Sequence, residues 1–238
     1  MFSSGELKKK ALLSLKNNWT NPIVISLLFI LITGAIASAV SGIILLFTLI
    51  PALILSLFMD GVAVTIITQG IHYILSLALN LIVIPLSLGY INYFLMFTKR
   101  QKPEIQNLFD GYKKSFGNSI VASLLMGIYV FLWTLLLIVP GIIKSFSYAM
   151  TFYIIADNPT ISATDALRKS EAIMKGHKMD YFVLNLSFIG WIILSLFTCG
   201  IGFIFLNPYM ETAKAHFYLT LKEGFEEENN ESIVLEEF

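Results

Sequence analysis

One cysteine, three histidines and very few charges set the chain apart from most enzyme and metal-site classes before any motif is sought. Cys199 stands alone in a Thr-Cys-Gly segment, which excludes an intramolecular disulfide framework and offers no thiolate metal cluster. His72, His177 and His216 are scattered, and no pair has zinc-ligand spacing. There is no phosphate-cradling glycine loop, no nucleophile elbow and no paired carboxylate set inside an apolar segment. The expectation is therefore a protein that is not an enzyme, holds no cofactor or metal, and does not bind nucleic acid. Charge is the scarcity with the largest consequence. Only 13% of residues are charged against 56% hydrophobic, with a mean hydropathy of +0.76, too apolar for an ordinary soluble domain, so lipid is the expected solvent.

The charges that are present fall in blocks. Basic residues gather at Lys8, Lys9, Lys10 and Lys16, at Lys99, Arg100 and Lys102, at Lys113 and Lys114, at Arg168, Lys169, Lys175 and Lys178, and at Lys222. Only Lys144 and Lys214 lie elsewhere, and Glu223, Glu226, Glu227, Glu228, Glu231, Glu236 and Glu237 make the tail acidic. The first basic block, followed by an apolar run and Ala35-Ile36-Ala37, imitates a secretory signal. No charge occurs from Asn17 to Met59, however, far beyond a signal peptide's apolar region, so the segment reads as a retained anchor.

Dividing the uncharged runs by the length needed to cross a bilayer gives an all-α, polytopic membrane helix bundle of about six spans. They are expected at 22–47, 72–97, 119–139, 142–156, 181–197 and 203–221, in a single membrane domain over 1–222, with 223–238 an acidic, disordered cytoplasmic tail. Pro51, Asp60 and Gly61 leave 48–71 open between a re-entrant segment, an interfacial one and an extra pair of short spans. Pro140-Gly141 and Thr198 to Gly202 are the expected turns. An even number of crossings puts both ends and the basic blocks on one side. The positive-inside rule makes that side cytoplasmic, so a multi-pass membrane protein with both ends in the cytoplasm is expected.

Three connectors look amphipathic. Over residues 1–20, Leu7, Ala11, Leu12, Leu15 and Trp19 share one helical face and the lysines the other, the pattern of a helix in the headgroup plane, where Lys8, Lys9, Lys10 and Lys16 are candidate contacts for anionic lipid headgroups. Topology alone would also explain these lysines. Ser162 and Asp165 signal a helix start, Ala166, Leu167, Ser170, Ile173 and Met174 an apolar stripe, and Gly176 a stop; Pro103 to Tyr112 is a shorter version. The recurring order of basic helix and paired spans suggests an internal repeat, with Ile120 to Leu124 beside Phe182 to Leu186 and the two turns in register.

Glu6-Leu7-Lys8 through Leu15-Lys16-Asn17-Asn18-Trp19, Leu108-Phe109-Asp110-Gly111-Tyr112, Trp133 through Lys144, Ala156-Asp157-Asn158-Pro159, Met174-Lys175-Gly176-His177-Lys178, Gly200-Ile201-Gly202, Pro208-Tyr209 and Ala215-His216-Phe217-Tyr218 together carry a resemblance. The chain resembles a bacterial membrane-protein family of unknown function, domain-of-unknown-function family 975, over nearly its whole length except 51–69 and the tail. A distantly similar membrane region precedes some glycerophosphodiester phosphodiesterase domains, which implies a link to lipid metabolism; that soluble catalytic domain has no counterpart here, so its activity does not transfer.

Within the spans, Asn207, Glu211, Lys214 and Tyr218 follow at the spacing of one helical stripe, and Lys144, Tyr148 and Thr151 do the same with Ser147 alongside. An ionised side chain at mid-membrane costs about 2.5–3.5 kcal/mol, so the stripes are expected to face protein or water, with Lys144 reaching Glu211 and Pro208 kinking the helix beside them. Snorkelling of Lys144 to the headgroups and hydrogen-bonded packing between helices are the plainer alternatives. Gly34, Ser38 and Gly42 suit close helix packing. Two functions stay open: binding or moving a lipid or amphiphile in a polar intramembrane cavity, or a structural or regulatory scaffold that recruits partners through its cytoplasmic helices and acidic tail.

Overall fold

The computed structural model describes residues 3–236, and they are helical throughout, with no strand among them. Four helical stretches are long and apolar enough to cross a membrane: Thr20–Leu55, Phe116–Leu136, Ile138–Asp157 and Lys178–Phe197; Gly61–Leu77 and Val83–Thr98 are shorter apolar helices. Close contacts divide the chain into two units, residues 28–84 and residues 1–27 with 85–238.

The unit of residues 28–84 holds most of α2 (Thr20–Leu55) and α3 (Gly61–Asn80). Apolar side chains face outward along both, with Leu53 72% exposed on α2 and Ile74 71% on α3, and Leu57 77% and Phe58 80% between them. Such a surface is stable where hydrocarbon replaces water. Pro51 lies inside α2 instead of ending it. The Asp60 carboxylate accepts from the Ala63 backbone N–H at 2.8 Å, so Asp60-Gly61 starts a helix within the 48–71 segment. The run expected as one helix, 72–97, is two, α3 and α4 (Val83–Thr98), separated by a turn at 81–82. Pro85 falls in the first turn of α4, where its missing N–H costs nothing.

The other unit is built around buried aromatic and aliphatic side chains, among them Tyr93, Phe94, Phe188, Phe217 and Tyr218. Its helices are α1 (Ser4–Leu15), the start of α2, α4 from Pro85, a 3-10 turn (Ile105–Phe109), α5 (Asp110–Lys114), α6 (Phe116–Leu136), α7 (Ile138–Ser147), α8 (Thr151–Asp157), α9 (Ala163–Ile173), α10 (Lys178–Leu186), α11 (Ile189–Phe197) and α12 (Phe203–Glu236). The amphipathic α1 and α9 bury their apolar faces against protein. Leu7, Ala11 and Leu15 of α1 are buried, and α1 packs on α10 and α12, while Leu12 and Leu13 stay exposed. Ala163, Ala166, Leu167, Ser170 and Ile173 of α9 pack on α6, α7, α8 and α12. Ser162 Oγ caps α9 by accepting from the Asp165 N–H at 3.1 Å, and Gly176, at φ 85°, follows its end.

Two of the long apolar stretches are broken, and in each case a side chain from an amphipathic helix meets the break. Between α7 and α8, Ser170 Oγ donates to the Ser147 carbonyl at 2.8 Å and accepts from the Met150 N–H at 3.2 Å. Between α10 and α11, Lys8 Nζ donates to the Ser187 carbonyl at 3.2 Å and lies over the Phe188 ring. Irregular backbone inside an apolar run needs this kind of protein partner. The chain between α6 and α7 turns at Leu137, with Pro140 and Gly141 inside α7, not at the turn expected there. Proline suits a first turn, and a Cβ on Gly141 would lie 2.9 Å from Thr134 Cα, so the glycine lets α7 close on α6. The α11–α12 turn repeats the device at the same spacing: a Cβ on Gly202 would lie 2.8 Å from Ser195 Cα. Thr134 and Ser195 each donate to the carbonyl one turn back, at 2.7 and 2.8 Å. The two turns thus share one geometry.

Finally, α12 continues as helix through Pro208 and on to Glu236, so the segment expected as a disordered tail is helical as far as the described residues go; Glu237 and Phe238 of that tail lie outside them.

Candidate functional site

Backbone-to-backbone packing at α4 fixes one wall of the site. A Cβ on Gly89 would fall 1.8 Å from the Leu108 carbonyl oxygen, and one on Gly111 would fall 1.9 Å from the Pro85 carbonyl oxygen. Only glycine permits this approach. Asp110 then clamps the connector, accepting from Asn92 Nδ2 at 3.1 Å, Asn107 Nδ2 at 2.9 Å and Lys114 Nζ at 3.0 Å. The Leu108 to Tyr112 motif is thus held against the Pro85 to Asn92 part of α4, which fixes where the 99–104 segment joining them can run.

That segment leaves α4 through a reversal in which the Arg100 N–H donates to the Phe97 carbonyl and the Gln101 N–H to the Met96 carbonyl, both at 3.0 Å. These are the paired bonds of a Schellman stop, whose left-handed position usually takes glycine. Arg100 occupies it at φ 58°, and Asn17 takes a left-handed conformation after α1 at φ 66°. A left-handed non-glycine residue costs on the order of 1 kcal/mol and tends to mark a functional site.

Both residues line the same cleft. It encloses about 940 Å³ between the end of α1, the start of α2, the end of α4 and His216 of α12. Lys10, Lys16, Arg100 and Lys102 line it, and no Asp or Glu does among the described residues. None of the four cations is ion-paired with a described residue, which is equally true of Lys8, Lys9, Lys113, Arg168, Lys169, Lys175 and Lys178; what sets the four apart is that they share one cleft. Asn17, Asn18, Asn21, Gln101 and Thr98 add neutral donors. On the wall, Ser14 Oγ and His216 Nε2 are 2.9 Å apart, tying α1 to α12. Like charges gathered between low-dielectric walls focus a positive potential into the cleft, and the chemistry that relieves it is an anion.

Of the lysines expected to meet anionic headgroups, Lys10 and Lys16 line this cleft. Lys8 is engaged at the α10–α11 break, and Lys9 is exposed away from the cleft. Arg100 and Lys102 were legible only as topological charges; the left-handed turn that aims them here has no sequence signal, because the position carries no glycine.

The stripe expected inside the membrane divides among separate partners, and α12, which carries Asn207, Glu211, Lys214 and Tyr218, is not among the four stretches long and apolar enough to cross one. Lys144 pairs with Glu171 and lies over the Trp133 and Tyr148 rings, so the contact with Glu211 is replaced. The reason is packing: α9 runs beside the α7–α8 break and brings Glu171 to Lys144, while Glu211 is already matched by Lys214 at 2.8 Å and accepts from Tyr153 Oη at 3.3 Å. Tyr148 and Thr151 are buried, and Thr151 Oγ1 has no hydrogen-bond partner among the described residues. Asn207 is half-buried. Tyr218 stacks on Tyr153 and donates to Asp157 at 3.2 Å. None of the seven stripe residues lines the basic cleft.

Asp157, at the end of α8, is a meeting point. It pairs with Lys99 and with Lys222 Nζ, the latter at 2.7 Å, joining the end of α4 to α12. The Asp157 carboxylate raises the Lys222 pKa above its ordinary value.

No curated protein and no solved structure matches this chain. One family model does, over residues 1–146 and 134–224, described as protein of unknown function (DUF975). The sequence motifs that shape the cleft wall and the two hairpins lie inside those segments, and the chain belongs to the DUF975 family.

Proposed function

We propose that the protein is a bacterial cytoplasmic-membrane protein, crossing the bilayer six times with both ends in the cytoplasm, that recognises the anionic headgroup of a lipid or other amphiphile in the basic cleft. The observation that carries this reading is the set of four cations without ion-pair partners, Lys10, Lys16, Arg100 and Lys102, in one cleft of about 940 Å³. The site is thereby not the stripe of Lys144 and Glu211, whose ionisable groups are matched internally, but the cleft lined by the first two basic blocks. With six crossings these blocks share one side, which the positive-inside rule makes cytoplasmic. The leaflet there is anionic, and each basic side chain near it contributes about 1 kcal/mol. Binding or transfer of the amphiphile is the whole of the activity; no covalent step and no cofactor belong to it.

The test uses full-length protein in nanodiscs containing phosphatidylcholine and phosphatidylglycerol. Native mass spectrometry should find phosphatidylglycerol retained selectively, and Lys16→Ala with Arg100→Ala should lower retention by more than about tenfold, two lost contacts of about 1 kcal/mol each. Equal retention of phosphatidylcholine, or an equal loss in Lys9→Ala, would overturn the reading. A scaffold role is favoured by one feature, the extension of α12 with Glu223, Glu226, Glu227 and Glu228 exposed along it. Truncation after Lys222 that abolished a specific cross-linked partner in native membranes would support it.

A further inference from the structure

A second pocket, of about 440 Å³, adjoins the basic cleft and shares Asn21, Tyr93 and Pro103 with it. Its other walls are mainly apolar, with Val24 and Ile25 from the start of α2 and Ile105 from the 3-10 turn. Val24 and Ile105 are 38% and 53% exposed, so the pocket is open to what lies outside it. One carboxylate, Glu104, stands here, accepting from Gln106 Nε2 at 3.1 Å and capping the 3-10 turn. Its negative charge disfavours a phosphate on this side and sends it towards Lys10, Lys16, Arg100 and Lys102. Charge and apolar surface are therefore separated across the shared wall of Asn21, Tyr93 and Pro103, the separation an amphiphile has along its own length.

We infer that the cleft and pocket form one site for a phosphate-bearing amphiphile, with the phosphate held by the four cations and the first part of an alkyl chain lying along Val24, Ile25 and Ile105. The inference rests on the headgroup reading above and narrows its ligand. A free phosphate would use the cleft alone, whereas a lipid phosphate also covers the apolar pocket. Tyr93 suits the junction, because its aromatic body is buried and forms part of both cavities.

The experiment is calorimetric titration of the full-length protein in phosphatidylcholine nanodiscs, after subtraction of empty nanodiscs, with inorganic phosphate and with butyl, hexyl and octyl phosphate. If the pocket takes the chain, affinity rises by roughly fourfold for each methylene moved out of water, until the pocket is filled. Val24→Trp with Ile105→Trp, both at exposed positions, should flatten that dependence on chain length and leave inorganic phosphate binding unchanged. Lys16→Ala with Arg100→Ala should weaken every member of the series. Affinity independent of chain length in the wild-type protein overturns the inference without recourse to a variant, as does a slope that survives both tryptophans. In either case a loss of binding in the Lys16 and Arg100 variant leaves the headgroup reading intact. If that variant binds the whole series as the wild type does, both readings fail.

Discussion

Residues 28–84 carry a single charged residue, Asp60, and turn most of their large apolar side chains outward, whereas the rest of the chain holds the other charges and, besides outward apolar faces such as Leu135, Leu136 and Phe197, seals a core. In the first unit the large apolar side chains point outward, as at Leu53, Leu57 and Phe58. In the second, Tyr93, Phe94, Phe188, Phe217 and Tyr218 are sealed inside, and amphipathic helices that look made for the membrane surface turn their apolar faces onto the bundle. Hydropathy therefore reports which residues avoid water without saying whether lipid or protein receives them. What separates the units is the density of specific devices: glycines at backbone contacts, side chains that meet broken helices, and ion pairs between helices.

The strongest way to break this comparison is with paired glycine substitutions. Gly89→Leu forces a side chain into the Leu108 carbonyl, where backbone cannot give way, and should abolish monodisperse folded protein on size exclusion in detergent. Gly34→Leu, with nothing within 4 Å, should leave that profile unchanged. Equal damage from both would mean that the two units are equally dependent on close packing.

A smaller contrast uses serine. Ser170→Ala leaves the α7–α8 break without its donor and acceptor and should cost about 2 kcal/mol, read from the unfolding midpoint in detergent. Ser38→Ala loses only a bond to the Gly34 carbonyl of its own helix and should fall within about 0.5 kcal/mol of wild type. The smallest effect sharpens the picture inside the packed unit. A double-mutant cycle on Lys144 and Glu171 should give a coupling of about 0.5–1 kcal/mol, since Glu171 is 45% exposed, while the cycle on Lys144 and Glu211 should give none.

Much of the helical architecture is legible along the chain. Ser162 with Asp165 and Gly176 frame α9 because caps are local chemistry. The α7–α8 break is not legible, because Tyr148-Ala149-Met150 contains neither proline nor glycine and its polar partner, Ser170, comes from a later helix. Lys8 at the α10–α11 break is remoter still. The cleft was half visible: Lys10 and Lys16 sit on a helix whose amphipathic pattern announces them, whereas Arg100 joins them through a left-handed turn that a sequence without glycine conceals. Asp157 lies near a turn that the sequence signals, but its place between Lys99 and Lys222 is not legible, since the partners stand 58 and 65 residues away on either side of it.

By itself the sequence determined that this chain is helical, that several of its helices are apolar enough for a bilayer, and that its cations gather in a few blocks. These properties follow from local hydrophobicity and charge, which act residue by residue. Tertiary structure alone decided which lysines find carboxylates and which are left facing a shared cavity, because pairing depends on distances between helices that are set by glycine contacts and helix breaks far apart in the chain.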